Sequence, residues 1–191
     1  MRWAGAAGLV GALGAGLPAG RAGAASEPVL TDDGLYRQPW FLESFLDLEE
    51  DLTLAADNGK RFAVMWELKG CPYCKETHFT NFADPTIETF VRRHFEILQL
   101  NIIGSRLVTD FDGEEMSEKA LAGKYGVRFT PTIQFFPTDA QGVAMRPARQ
   151  REVARMPGYF RPDHFLAMFK FVAEEAYEGG DFRTYLRQNS S

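Results

Sequence analysis

Two cysteines, Cys71 and Cys74, are the side chains of this sequence best suited to chemistry. They are the only cysteines among the 191 residues, and Pro72 and Tyr73 separate them. At this spacing both sulfur atoms fit on one helical turn, so an intramolecular disulfide can close and open again. We therefore predict a thiol–disulfide redox site, with Cys71 as the exposed nucleophile and Cys74 as the more buried resolving thiol.

The segments on either side of the cysteines are suited to position them. The apolar run 62–66 predicts a β-strand that ends shortly before Cys71, and residues 75–82 predict a helix after the motif. Unpaired N–H groups and a partial positive charge at the start of a helix stabilise a thiolate there. Pro72 suits the first helical turn, because its fixed φ is helical and it has no N–H group to leave unpaired.

A structural zinc site is the alternative role for a cysteine pair at this spacing, which can supply two of four ligands. The other two would have to come from His78, His94 and His164. These histidines do not form the closely spaced pair typical of zinc sites. A purely structural disulfide is also disfavoured, since so short a loop removes little entropy from the unfolded chain. We therefore expect no metal and no cofactor.

The first 25 residues are predicted to be a secretory signal peptide that is removed. Arg2 precedes a run of Gly, Ala, Leu and Val, and residues 22–24 offer the small side chains of a cleavage site. The run is short and rich in glycine for a membrane span, and Pro18 interrupts it. We expect residues 26–191 to form a single domain in the periplasm.

Composition and charge argue against one class of partner. The formal net charge is −5, and the predicted cleavage would remove two arginines and make the chain more acidic. An acidic exported domain is not expected to bind nucleic acid. Sixteen phenylalanines indicate an aromatic core, so we expect packing to supply the stability and the thiols to be kept for chemistry.

Hydrophobic spacing and turn residues predict the order α-β-α-α-β-α-β-β-α. This order predicts an α/β fold in which helices flank a central mixed sheet, with an N-terminal helical extension. A turn at 138–142 is expected to join the last two strands as a hairpin. The predicted elements are 43–57, 62–66, 75–82, 86–93, 95–102, 117–124, 132–136, a strand that includes 152–156, the helix 163–177 and a short helix at 181–187.

Two segments resemble signatures of the thioredoxin superfamily. The first is the strand end with the cysteine motif, 66–74, and the second is 125–132, which contains Thr130-Pro131. The resemblance implies a thioredoxin-like fold in which the Thr130–Pro131 peptide bond is cis and Pro131 lies opposite the cysteines as part of the catalytic site. It also implies that an incoming peptide is received as a short strand by Pro72, Tyr73, Thr130 and Pro131.

More narrowly, the chain is similar to SoxW-type periplasmic thioredoxins, which are associated with bacterial sulfur oxidation. The likeness covers residues 36–187 and is carried by 39–41, 44–48, 108–113, 157–159 and 182–186. It implies a monomer that reduces disulfides or mixed disulfides on partner proteins and receives electrons from a membrane thiol transporter. Residues 143–150 depart from the pattern by lengthening the hairpin.

Glu67 is a candidate proton acceptor for Cys74. Many thioredoxins have a buried aspartate on the first strand, and counting back from Cys71 puts Met65 at that position. Strand alternation places Glu67 on the same face as Met65, so Glu67 could replace that carboxylate as the base. The alternative is a solvated carboxylate at the end of the strand. His78, one helical turn after Cys74, is predicted to be a partly buried helix residue.

The other charged groups are predicted to be features of the surface. Lys69 and Lys75 flank the motif, where they could help to hold a thiolate or be ordinary surface lysines. Residues 110–114 are predicted to form an acidic turn, because the glycine is misplaced for a calcium loop. A solvated hairpin edge, where an acidic or thiosulfate-bearing partner could dock, is predicted at Arg146, Arg149, Arg151 and Arg155.

Two other functions remain open from the sequence. A Dsb-type oxidase or isomerase would share the exported location and the cysteine motif. A redox-silent module would use only the peptide groove of the fold. The direction of electron flow depends on the relative stability of the two redox states, which the sequence does not determine.

Overall fold

The computed structural model describes residues 26–189 together with Met1. The predicted signal peptide therefore lies outside the described residues, apart from Met1. In the described part of the chain, no helix is long and apolar enough to cross a membrane.

The strands pair into a central sheet and two short ribbons. They are β1 (Val29–Leu30), β2 (Tyr36–Arg37), β3 (Arg61–Glu67), β4 (Phe95–Asn101), β5 (Leu107–Thr109), β6 (Glu115–Ser117), β7 (Thr132–Phe135) and β8 (Ala154–Pro157). The central sheet has the order β4-β3-β7-β8, in which β3 is parallel to β4 and antiparallel to β7. This mixed sheet confirms the predicted fold class.

Helices cover both faces of the sheet. They are α1 (Leu48–Asp57), α2 (Pro72–Glu76), α3 (Pro85–His94), α4 (Glu118–Lys124), α5 (Ala140–Ala144), α6 (Pro162–Ala173) and α7 (Phe182–Asn189). One core layer packs against α1 and α4, and the other packs against α3 and α6. The second layer contains a set of contacting phenylalanine rings, as the composition predicted: Phe82, Phe95, Phe135, Phe165 and Phe169.

Alternation along β3 decides which layer each side chain enters. Phe62, Val64 and Trp66 belong to the layer under α1, whereas Ala63 and Met65 belong to the layer under α6. The same alternation sends Glu67, the last residue of β3, toward the side of Met65.

The predicted helix 43–57 is too long at its start. Helix α1 begins at Leu48, because the Asp47 side chain accepts hydrogen bonds from two backbone N–H groups of the first turn and caps it. Phe45, predicted on the buried helix face, is 98% exposed. Before it, β1 and β2 pair as an antiparallel ribbon that was not predicted. We call residues 26–47 the N-terminal segment.

Strands β7 and β8 pair antiparallel, as predicted for the hairpin, but the predicted turn at 138–142 is wrong. The connection contains α5 and a short 3₁₀ turn, Ala148–Gln150, instead of a turn at 138–142. Arg151, predicted on a solvated edge, is 3% exposed. It binds Asp110 and Asp112, both at 2.8 Å, in the turn between β5 and β6. The lengthened connection is therefore fixed to the fold by buried charges.

Candidate active site

Cys71 and Cys74 are joined by a disulfide bond at the start of α2, with their Cα atoms 5.3 Å apart. Cys71 caps the helix, and its Sγ accepts a hydrogen bond of 3.1 Å from the Cys74 N–H. Pro72 occupies the first turn of α2, as predicted. Cys71 is partly exposed, whereas Cys74 is 4% exposed. This order of burial suits the predicted roles of an accessible and a protected sulfur.

A wide helical turn that contains His78 follows α2. Thr77–Asn81 form a π-helical turn, in which the Phe82 N–H donates to the Thr77 carbonyl at 3.0 Å. Such turns occur frequently at functional sites. His78 has no exposed surface, so it is more deeply buried than predicted. Its ring packs between those of Phe41 and Phe82, with ring centroids 5.7 Å from each.

The Thr130–Pro131 peptide bond is cis, as the resemblance implied. The carbonyl oxygen of Thr130 lies 3.5 Å from Cys71 Sγ. The Pro131 carbonyl accepts a hydrogen bond of 2.7 Å from the Gly158 N–H, which ties the segment to the end of β8. The loop before β7 therefore lies beside the more exposed sulfur.

Exposed apolar side chains surround this end of the disulfide. Tyr73 is 60% exposed and stacks on Tyr159, with ring centroids 5.9 Å apart. Phe129, next to Thr130, is 66% exposed, and Pro72 is exposed as well. We call Pro72, Tyr73, Phe129 and Tyr159 the aromatic rim. Clustered exposed apolar groups of this kind mark surfaces that bind other molecules.

Glu67 is buried at the end of β3, with 1% of its surface exposed. His78 Nε2 lies 3.0 Å from both carboxyl oxygens of Glu67, and the side-chain amide of Gln99 donates to Oε2. The interpretation of Glu67 as a solvated carboxylate is therefore wrong. A buried carboxyl group beside a redox motif is available for proton transfer.

Glu67 and both cysteines line one pocket of about 310 Å³. The ribbon forms another wall of this pocket, through Gly34, Leu35 and Tyr36. The pocket is large enough to hold water between Glu67 and the cysteines.

Lys69 and Lys75 contact the ribbon. Lys75 Nζ lies 5.9 Å from the centre of the Tyr36 ring and 5.6 Å from that of Phe79. At Gly34, φ is +79°, and an added Cβ would lie 2.9 Å from the Lys69 side chain. The absence of a side chain at Gly34 thus lets the ribbon lie against the loop that precedes the cysteines.

Gln38, His78 and Gln99 are the site residues that reasoning from the sequence missed or undervalued. A glutamine between two leucines in strand β4 is the signal that could have identified Gln99, because buried amides need hydrogen-bond partners. Gln38 carries no such signal, since its burial depends on tertiary packing. Among the residues the structure describes, no cluster of His, Cys, Asp or Glu could hold a metal ion.

The fold is similar to known structures. It is similar to that of a thioredoxin-fold protein from Helicobacter pylori, with a TM-score of 0.54 and 21% identity, over 69% of this chain and 84% of that chain. It is also similar to that of a thioredoxin from Thermus thermophilus, with a TM-score of 0.51 and 22% identity, over 71% of this chain and 90% of that chain. Among curated proteins, no sequence match to the chain is found.

Residues 48–173 match the thioredoxin-like domain family. The match runs from the start of α1 to the end of α6, spans more than half of the chain, and includes both cysteines and Thr130–Pro131. The chain therefore belongs to the thioredoxin-like domain family.

Proposed function

We propose that the protein is a thiol–disulfide oxidoreductase that reduces disulfides or mixed disulfides on partner proteins. The observation that carries this proposal is the Cys71–Cys74 disulfide, with one sulfur accessible beside the Thr130 backbone and the other protected. A reversible cysteine pair of this kind can exchange two electrons with a partner disulfide.

The reaction proceeds through a mixed disulfide. The Cys71 thiolate attacks one sulfur of the partner disulfide, and the other partner sulfur leaves as a thiolate. The Cys74 thiol loses its proton to Glu67, and its sulfur attacks Cys71 Sγ. The bond between Cys71 and the partner breaks, so the partner leaves with two reduced sulfurs while the enzyme keeps the disulfide.

The aromatic rim and the Thr130 backbone are the proposed docking surface for the partner. Within residues 26–189, the Thr130 N–H has no hydrogen-bond partner, so it is free to pair with an extended peptide. Tyr73 and Phe129 offer apolar contact on either side of that peptide. This surface favours a protein substrate over a small hydrophilic thiol.

The cellular setting is the finer part of the proposal. The sequence resemblance favours a monomeric periplasmic reductant of sulfur-oxidation proteins, supplied by a membrane thiol-electron transporter. Ser26, next to the predicted cleavage position, gives modest support to export. Its backbone N and its hydroxyl each lie 2.8 Å from the Glu88 carboxylate, which could equally accept the ammonium group of a new N-terminus.

Trapping experiments test the roles of the two cysteines. A Cys74→Ser variant should accumulate a mixed disulfide with its partner, because the resolving thiol is missing. A Cys71→Ser variant should trap little, since its remaining thiol is buried. Equal trapping by the two variants would overturn the assignment, and the N-terminal sequence of protein from its host would test export.

The oxidising alternative is tested by the reduction potential. A reduction potential of about −120 mV would favour a Dsb-type oxidase, and one of about −270 mV would favour a reductant. A redox-silent binding module would show no exchange of the disulfide with glutathione at any ratio.

A further inference from the structure

Four buried polar side chains form a continuous chain of hydrogen bonds around Glu67, which shares a pocket with the cysteines. We call Gln38, His78, Glu67 and Gln99 the acceptor cluster, and none is more than 7% exposed. Gln38 contacts His78, His78 contacts Glu67, and Gln99 contacts Glu67 from the other side. The Gln99 amide also donates to the Tyr36 carbonyl at 2.5 Å, which ties the cluster to the ribbon.

The orientation of the Gln38 amide determines where His78 carries its proton. Gln38 Nε2 donates to the His78 carbonyl at 3.1 Å, and it lies 3.3 Å from His78 Nδ1. An amide nitrogen can only donate, so Nδ1 must accept and must itself be without a proton. Rotating the amide would bring its oxygen against the His78 carbonyl oxygen, which is unfavourable.

The proton of His78 therefore sits on Nε2, which faces Glu67. Nε2 lies 3.0 Å from both carboxyl oxygens, so the imidazole donates to Glu67. The Gln99 amide donates as well, and both donors are satisfied by the ionised carboxyl group. In the other tautomer, Nε2 would present a lone pair to the carboxylate and repel it.

The residue that fixes this tautomer comes from outside the matched domain. Gln38 lies in the N-terminal segment, whereas the family match begins at residue 48. The same segment supplies the Tyr36 carbonyl to Gln99 and one wall of the pocket that Glu67 shares with the cysteines. These contacts bring residues 26–47 into the redox site.

We propose that Gln38 and His78 are positioning residues that hold Glu67 as the proton acceptor for Cys74. This inference rests on the proposed oxidoreductase function. When Cys74 attacks the mixed disulfide, its proton goes to Glu67, its sulfur bonds to Cys71, and the Cys71–partner bond breaks. Glu67 later returns the proton to solvent through the pocket.

Other ionisable groups surround the acceptor cluster and have to be considered in any pH measurement. Those on the pocket or on the elements that pack against it include Cys71, Tyr73, Cys74, Lys75 and Glu76 at α2, Tyr36 and Arg37 on β2, Lys69 in the loop before the cysteines, and Arg106, which donates to the Gln99 carbonyl. A substitution at Gln38 leaves all of these in place.

Ellman's reagent separates the two steps. One equivalent is mixed with the reduced protein, and the first thionitrobenzoate is released when Cys71 forms the mixed disulfide. The second is released when Cys74 resolves it. In Gln38→Met, the rate of the second release should be about tenfold lower than in the wild-type protein near neutral pH. Loss of the acceptor itself should lower that rate by roughly 10²-fold, which is a larger effect. The first release should be unchanged.

The pH profile distinguishes positioning from a loss of structure. The deficit of Gln38→Met should close as the pH approaches about 8.5, where an ordinary thiol ionises without help. Gln134→Met is the matched control, because Gln134 is equally buried and hydrogen-bonded to Trp66 and Glu152, away from the cysteines. Gln134→Met should lower the stability of the protein and leave the ratio of the rates of the two releases unchanged at every pH.

Nitrogen chemical shifts of His78 in the wild-type protein test the tautomer even if the variant does not fold. They should show a proton on Nε2, and a proton on Nδ1 would overturn the inference. An unchanged second release in folded Gln38→Met would overturn it as well. If the wild-type protein releases neither thionitrobenzoate, the proposed function itself fails.

Discussion

Two buried carboxyl groups, Glu67 and Asp110, are accommodated by opposite means. Each has 1% of its surface exposed. Asp110 is held by two permanent cations, Arg151 at 2.8 Å and Lys124 at 2.6 Å. Glu67 is held by an imidazole and an amide, which are uncharged in the arrangement derived above.

The two sites differ in whether charged side chains balance the buried carboxyl group. Around Asp110, the cations compensate the cost of burying a carboxylate. Nearby, burial would raise the pKa of Asp112, but hydrogen bonds from Arg151 and Lys124 outweigh it and hold that pKa below its usual range. Among the described residues, no lysine or arginine pairs with Glu67, which borders the pocket that it shares with the cysteines.

Removing the central cation should have the largest effect on stability. Arg151→Met leaves Asp110 and Asp112 with Lys124 as their remaining shared cation, and breaking a buried pair costs up to about 3–5 kcal/mol. Urea unfolding should show that loss, while both releases from Ellman's reagent keep their rates. Arg161→Met removes an exposed pair with Asp163 and should change stability by less than about 1 kcal/mol. Equal effects of the two substitutions would contradict the structural role of Arg151.

The same isosteric change at the two carboxyl groups should separate their roles. Glu67→Gln should slow the second thionitrobenzoate release by about 10²-fold, because it removes the proton acceptor. Asp110→Asn should lower stability and leave that release unchanged, since it is remote from the cysteines. A deficit well under tenfold in Glu67→Gln, or a comparable deficit in Asp110→Asn, would remove the distinction between the two sites.

Asp51 is another buried carboxyl group, and no lysine, arginine or histidine among the described residues forms a salt bridge with it. Burial raises its pKa from 3.8 to about 6, opposed by a hydrogen bond from Ser44 and reinforced by Asp47 and Glu50. The folded state therefore binds a proton more tightly than the unfolded state, so stability is lost as the pH rises from about 4 through about 6.

Asp51→Asn should consequently stabilise the protein at neutral pH. The gain should be of order 1–3 kcal/mol above pH 6 and should vanish below about pH 4, where the wild-type carboxyl group is protonated in both states. The amide that replaces the carboxyl group would keep an oxygen that accepts from the Ser44 hydroxyl. Urea unfolding across this pH range measures the effect, and a gain that does not depend on pH would exclude the buried charge as its cause.

The sequence predicted the parts of this site that are local in the chain. The cysteine motif, the strand before it and the Thr130–Pro131 bond are encoded by short segments, and the structure places them as expected. The shared face of Met65 and Glu67 followed from strand alternation alone. What alternation could not show was the burial of Glu67, because the partners that bury it come from other elements.

The parts that the sequence did not predict depend on contacts between distant segments. Gln38 meets His78 across 40 positions, and Arg151 meets Asp110 across 41. An arginine looks solvated until its carboxylate partners are placed beside it, so the connection before β8 was mistaken for an exposed hairpin. Phe45 was assigned to a helix face because spacing does not reveal that Asp47 caps the helix after it.

Removal of the Tyr125 hydroxyl should have the smallest effect on stability of the changes made around Asp110. This hydroxyl donates to Asp110 at 2.7 Å, within a site where two cations already neutralise the carboxylate. Tyr125→Phe removes this hydrogen bond and the one of 3.2 Å that the hydroxyl accepts from Arg151. Neither loss leaves a charge without a cation, so the loss of stability should be about 1–2 kcal/mol. Tyr185→Phe removes a similar bond to Glu174 at the surface and should cost at most about 0.5 kcal/mol. If Tyr125→Phe lost as much stability as Arg151→Met, the hydroxyl rather than the cations would hold Asp110 in place.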